Sequence, residues 1–188
     1  MNPLKIAFAL LAAAGTTAAL AAPMTYTLDP NHSFVHFGYS HMGFSDQEQR
    51  FNKVTGTITY DPQAQTASVD ATIDLKSIDT GSVLNEHIQG ADFFDTAQYP
   101  TATFKSTSVK FQGDQPVSVS GDLTIKGVTH PVTLMIEHFH TGRNMMKKPA
   151  LGADAVGHVM RTEYNMGKYV PMVGNDVTIR IDLEAMAH

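Results

Sequence analysis

Neither cysteine nor tryptophan occurs anywhere in this 188-residue chain. Without cysteine there is no disulfide to support the fold, no thiolate metal site and no thioether attachment of haem. Positive charge is also scarce: 13 Lys and Arg face 18 Asp and Glu, for a formal net charge of −5. That balance favours solubility and argues against a nucleic-acid partner. No apolar run is long enough to cross ~30 Å of hydrocarbon as a helix.

The first stretch has the layout of an export signal. Lys5 is the only charge before Asp29, Ile6 to Ala14 is apolar, and Ala19-Leu20-Ala21 fits a small-residue cleavage site. Residues 1–21 are expected to be a signal peptide and residues 22–188 one mature domain. Loss of Lys5 leaves 12 cations against 18 acids, 12 − 18 = −6. In a Gram-negative host this signal places the protein in the periplasm.

What the mature chain has in abundance is period-two alternation. Val69, Ala71, Ile73 and Leu75 alternate with Ser68, Asp70, Thr72 and Asp74. Val177, Ile179, Ile181 and Leu183 alternate with Thr178, Arg180, Asp182 and Glu184. Similar rows are Val117-Val119-Gly121-Leu123-Ile125, Val132-Leu134-Ile136 and Val54-Gly56-Ile58-Tyr60. Each is a half-buried strand. Asp61-Pro62, Gly113 to Pro116 and Lys126-Gly127 supply turns between them. With weaker strands at 25–28, 33–39, 101–112 and 154–161, the reading is all-β, with eight or nine antiparallel strands in a sandwich or barrel. Ser82 to Gln89 is the exception and predicts a short helix capped by Gly90; Gly142 to Ala150 is expected to be irregular.

The inward rows are rich in small or β-branched residues, so a barrel of this width would be underfilled. Larger residues lie off the regular strands: Phe93, Phe94, Met145, Met146, Met166 and Met172. They either complete a packed core or line and gate a cavity.

Several ordered blocks resemble the YceI-like polyisoprenoid-binding family of bacterial periplasmic proteins. They are Asp29 to Ser33, Phe51 to Gly56, Ile78 to Gly81 with Asn85 to Ile88, Asp92 to Asp95 with Tyr99-Pro100, Gly121 to Thr129, and Arg161 to Tyr164 with Gly167. Asn165 stands where the family has glycine. The resemblance implies an antiparallel eight-stranded, lipocalin-like β-barrel with a short helical insertion. It also implies a long apolar lipid in the lumen (a polyisoprenoid, an isoprenoid quinone or a fatty amide), held without turnover and without a cofactor. The candidate ligand contacts are Phe34, Phe37, Val69, Ile73, Leu84, Ile88, Phe93, Phe94, Phe104, Leu123, Ile125, Leu134, Ile136, His138 and Met166.

Other chemistry has less support in the residues. Nine histidines raise the alternative of a histidine-based metal-binding module, but only His138 and His140 are spaced to share a strand face. They also continue the inward row after Ile136, as a polar mouth for a head group. His36 and His41 fall on opposite faces. His32-Ser33 lacks a nucleophile elbow and reads as turn chemistry, so no catalytic residue is assigned. Asp92 and Asp95 read as solvated carboxylates near turn ends. Arg143, Lys147 and Lys148 form a basic loop, either plainly solvated or making transient contact with an anionic membrane surface. An unpaired edge strand would permit a homodimer.

Overall fold

The computed structural model describes residues 23–187, so the expected signal peptide lies outside the described residues. Eleven strand segments occupy eight positions of a closed antiparallel ring. The segments are β1 (Met24–Leu28), β2 (Phe34–His41), β3 (Ser45–Phe51), β4 (Val54–Asp61), β5 (Thr66–Asp74), β6 (Ile78–Asp79), β7 (Thr101–Gln112), β8 (Gln115–Ile125), β9 (Val128–Arg143), β10 (Pro149–Met160) and β11 (Asp176–Ala187). The ring runs β1-β4-β5-β7-β8-β9-β10-β11 and closes where β1 pairs with β11.

Three positions are interrupted strands. Along one edge of β11, Ala185 to Ala187 pair with β1 and Thr178 to Asp182 pair with β2. β3 continues β4, and β6 continues β5 by pairing back onto Phe51 and Arg50 of β3. The interruption in the first position is the Asp29–Ser33 turn, where Asp29 Oδ1 accepts the Asn31 N–H at 2.9 Å and the buried Ser33 hydroxyl donates to the Glu184 carbonyl at 3.1 Å. These bonds satisfy a turn that leaves the ladder.

The reversals follow their residues. Lys126 and Gly127 both have positive φ, 51° and 74°, as a tight hairpin requires. Asn165 is left-handed at φ 57° and ψ 34°, a conformation asparagine tolerates, so the expected turn is kept without glycine. The helix is shorter than expected: α1 spans Leu84–Gln89, and the Gly90 N–H closes it onto the His87 carbonyl. Gly142 to Ala150 is more regular than expected, because β9 runs to Arg143 and β10 begins at Pro149. Only the 144–148 reversal stays out of the ladder, held by Asn144 Oδ1 accepting from Met146 N–H and Lys148 N–H.

Three bulges change which residues face inward, and one of them, at Thr107 of β7, turns the inward row from Phe104 to Val109 and Phe111. On β9 the register moves from Asp154↔His138 to Ala155↔Ile136, leaving Glu137 without a partner. The extra residue reverses the alternation. Phe139 therefore turns in, and His138 and His140 are exposed, against the expectation that they continue the row from Ile136. On β8 the register moves from Lys110↔Ser118 to Phe111↔Pro116, so Pro116 replaces Val117 in the inward row.

Candidate functional site

The barrel interior holds two apolar cavities. The wider one, about 520 Å³, lies toward the end where β2, β8 and β10 finish. The narrower one, about 110 Å³, lies toward the end bounded by Leu28, Tyr60, Val109, Pro116 and Phe139. Val35, Ile73, Phe104, Leu134 and Ile181 line both and form a waist between them.

Small inward residues open the narrow cavity: β5 offers Ala67, Val69 and Ala71, and β10 offers Ala153 and Ala155. Facing rows of this volume cannot meet across an eight-stranded ring. The larger side chains fill the ends. Phe37, Phe51 and Phe94 pack together, with Phe94 edge-on to both rings at 5.9 and 5.3 Å between centroids. Tyr60 packs between Phe111 and Phe139 at the narrow end.

The wide end is covered by two segments outside the strands. The first is α1 with Gly90 to Tyr99, which places Leu84, His87, Ile88, Phe93 and Phe94 on the cavity. The second runs from Arg161 to Asn175 and supplies Met166, Tyr169 and Val173. Arg161 is buried in this wall. Its Nε donates to the Gly174 carbonyl at 2.7 Å, its Nη2 to the Val173 carbonyl at 2.8 Å, and its Nη1 to the Met166 carbonyl. Burial lowers its pKa from the ordinary arginine value, and the carbonyl fork compensates for the lost hydration. Lys126 ties the segments together, with Nζ donating to the Ala91 carbonyl at 2.6 Å and the Asn165 carbonyl at 3.2 Å. Lys168 Nζ joins Asp92 Oδ2 at 2.8 Å across the same seam.

Polar groups are few and grouped on the wide cavity: Tyr39, His41, Gln47, His87, Tyr169 and Arg161. Burial raises the Tyr39 pKa, so its hydroxyl stays protonated as a donor. Around this end several apolar side chains are exposed. Phe44 at the β2–β3 turn is 86% exposed and Val83 before α1 is 92% exposed, with Met42 and Met172 beside them in the chain segments that border the cavity. The Met42 N–H donates to the Met172 carbonyl at 2.7 Å, which fixes these two segments together.

Most of the sequence-derived contacts converge. Phe37, Ile73, Leu84, Ile88, Phe93, Phe94, Phe104, Leu123, Ile125, Leu134 and Met166 line the wide cavity; Val69 and Ile136 line the narrow one. Phe34 alternates outward, touching only the narrow cavity and carrying the Arg50 guanidinium 4.9 Å above its ring. His138 lines neither, for the bulge turns it to solvent. Alternation along β2 could have revealed Val35, Tyr39 and His41, which join Phe37 on the inner face, but Phe139 and Pro116 were hidden by the bulges. Met145 and Met146 are exposed at the narrow end, away from the wide opening. There Arg143 Nη1 donates to the Lys147 carbonyl at 2.7 Å, so this guanidinium closes its own hairpin.

His138 and His140 share a strand face as expected, the outer one, whereas His36 and His41 face opposite ways. His36 sits outside the barrel, 3.0 Å from Asp182 and 3.4 Å from Glu48, while His41 faces in. Among the described residues, one group has metal-ligand spacing: Asp29, His32 and Glu184, with ligand atoms within 4.8 Å of one another. His32 Nδ1 already bonds Asp29 Oδ2 at 2.9 Å; the bond raises the imidazole pKa and lowers the carboxyl pKa. The Ser33 hydroxyl is committed to a backbone carbonyl, so His32 and Ser33 are not joined as base and nucleophile.

Comparison with known proteins gives consistent matches over the barrel. A family described as the YceI-like domain matches residues 26–185. Protein YceI of Escherichia coli O157:H7 is 35% identical over 170 residues, covering 89% of this chain and 88% of that protein. Protein YceI of Salmonella arizonae is 32% identical over 173 residues, covering 91% and 90%. Among solved structures, Burkholderia cenocepacia BcnA superposes with a TM-score of 0.72 at 30% identity, covering 84% of this chain and 99% of that one. A polyisoprenoid-binding domain from Saccharophagus degradans shares the fold, with a TM-score of 0.66 at 20% identity over 88% and 99% of the two chains.

Proposed function

Because this chain belongs to the YceI-like domain family, we propose that it binds one long apolar lipid in its lumen and carries or sequesters it without chemical turnover. The observation that carries this reading is the apolar cavity of about 520 Å³. Burying hydrocarbon there yields about 0.8 kcal/mol per methylene, so a long chain outcompetes a short one. The polyisoprenoid-binding domain that shares this fold supports a polyisoprenoid or a similar chain as the ligand. The few polar groups at the wide end suit the ligand's polar head, with the tail pointing to the waist.

The lipid would enter at the wide end. Met42, Phe44, Val83 and Met172 are exposed there, and brief contact with a bilayer would bury them as the ligand transfers. The Arg143 hairpin lies at the other end, so we assign membrane contact to the apolar rim. The proposed compartment is the periplasm, reached through residues 1–21. Ser45 to Gln49 of β3 pair only with β2, and this open edge supports the further proposal that two copies can associate as a homodimer.

Native mass spectrometry of protein purified from its own host tests the proposal. A co-purifying lipid mass, released on unfolding, is expected. Folded protein that carries no lipid and takes up none from vesicles would overturn it. N-terminal sequencing of the same sample should begin at Ala22.

A further inference from the structure

The waist between the two cavities is built with unusual closeness. Phe104 of β7 turns its ring over Gly121 of the neighbouring β8; a Cβ placed on Gly121 would lie 2.6 Å from the Phe104 ring carbon Cζ. Leu134 of β9 lies in the same way over Gly157 of β10, whose Cβ would meet Leu134 Cδ2 at 2.7 Å. Each glycine removes the side chain that would otherwise hold its neighbour away. Val35, Ile73 and Ile181 complete the constriction from the other strands.

Beyond the waist the narrow cavity presents apolar surface, because the Ser33 and Tyr60 hydroxyls donate to the Glu184 and Asp114 carbonyls and Asp182 bonds His36 outside. It is hydrocarbon space that a tail occupies only if the waist lets it through. We propose that the waist, and Phe104 in particular, is a length gauge that sets how much of an apolar chain this barrel accepts. The proposal rests on the reading of the lumen as a site for an apolar chain. In the native protein the tail ends against Phe104 and Leu134. Affinity then rises with chain length until the wide cavity is filled and stops rising there. Opening the waist joins about 110 Å³ to about 520 Å³ and moves that limit to longer chains.

The test uses the mature protein, stripped of lipid, and a homologous series of straight-chain primary alcohols, read by displacement of a polarity-sensitive fluorophore. Each methylene accommodated should strengthen binding about fourfold, the equivalent of about 0.8 kcal/mol. For the native protein the series should level off. Phe104→Ala should carry the fourfold steps on to longer alcohols. Adding Ala153→Leu, which fills the narrow cavity behind the waist, should return the limit to its native length. Phe104→Leu, which keeps an apolar side chain in the wall, is read in the same way if the alanine variant does not fold. A limit that stays at the same chain length in the opened variants, with alcohols still bound, would overturn the gauge and leave the lipid-binding reading intact. Failure of every alcohol to displace the probe from the native protein would overturn both.

Discussion

The Arg161 guanidinium donates from Nε to the Gly174 carbonyl at 2.7 Å, and it makes this bond from inside the apolar wall of the wide cavity. Its other two nitrogens hold the Met166 and Val173 carbonyls, so one side chain organises the whole cover segment. Arg161→Lys keeps the charge but replaces a planar fork with a point donor. We expect a loss of about 2–4 kcal/mol, from buried carbonyls left without a charged partner. Thermal unfolding measures the loss. Limited proteolysis should cut the variant first between residues 166 and 174, and native-like resistance there would contradict the role.

The two neighbouring phenylalanines should separate cleanly. Phe94 is buried against Phe37 and Phe51, whereas Phe93 meets His87 and Tyr169 at the edge of the cover. Phe94→Ala should cost about 3 kcal/mol or more, as large-to-small changes in a packed aromatic cluster do. Phe93→Ala should cost under about 1.5 kcal/mol yet speed lipid release. Denaturant midpoints and stopped-flow transfer to acceptor vesicles distinguish the two. Equal stability losses would mean that both rings serve packing alone.

Tyr164 gives the fold an alkaline limit. It is fully buried, its hydroxyl has no hydrogen-bond partner, and burial, aided by the nearby Glu163 charge, pushes its pKa up to about 12. The unfolded chain releases this proton at the ordinary tyrosine pKa, so over the range from there to about 12 the folded state holds more protons. Stability must then fall as pH rises through that window. Tyr164→Phe should unfold at the same or a higher temperature at neutral pH, because an unpaired buried hydroxyl is removed. It should also lose less stability than the native protein on going alkaline. Parallel pH dependences for the two proteins would refute this.

Gly121 should not tolerate even one methyl group. Its Cβ would meet the Lys105 carbonyl oxygen at 2.5 Å as well as the Phe104 ring, and the former is backbone that only strand movement can shift. Gly121→Ala is expected to destabilise by about 1–3 kcal/mol. Combining it with Phe104→Ala relieves only the ring contact, so the double variant should recover part of the loss and no more. Full additivity of the two losses in a thermal denaturation cycle would show that the residues do not interact.

By itself the sequence determined the local terms. Alternation from Thr66 to Leu75 and from Val177 to Leu183 specified strands with a definite inner face, since a one-residue slip would put every apolar side chain in water. Lys126-Gly127 specified a tight hairpin, Gly90 a helix end, and the ordered blocks from Asp29 to Gly167 the family. Only the tertiary structure decided where the ring closes, that β1 and β2 share one edge of β11, and that the bulges at Glu137 and Val117 reverse a face in mid-strand. Those bulges took His138 out of the lumen and put Phe139 in. The waist was also invisible in one dimension, because Phe104 and Gly121 belong to adjacent strands and their contact depends on register. A strand's alternation is an intrinsic period of its backbone; its neighbours, bulges and the space it encloses arise only when eight such periods are fitted to one another.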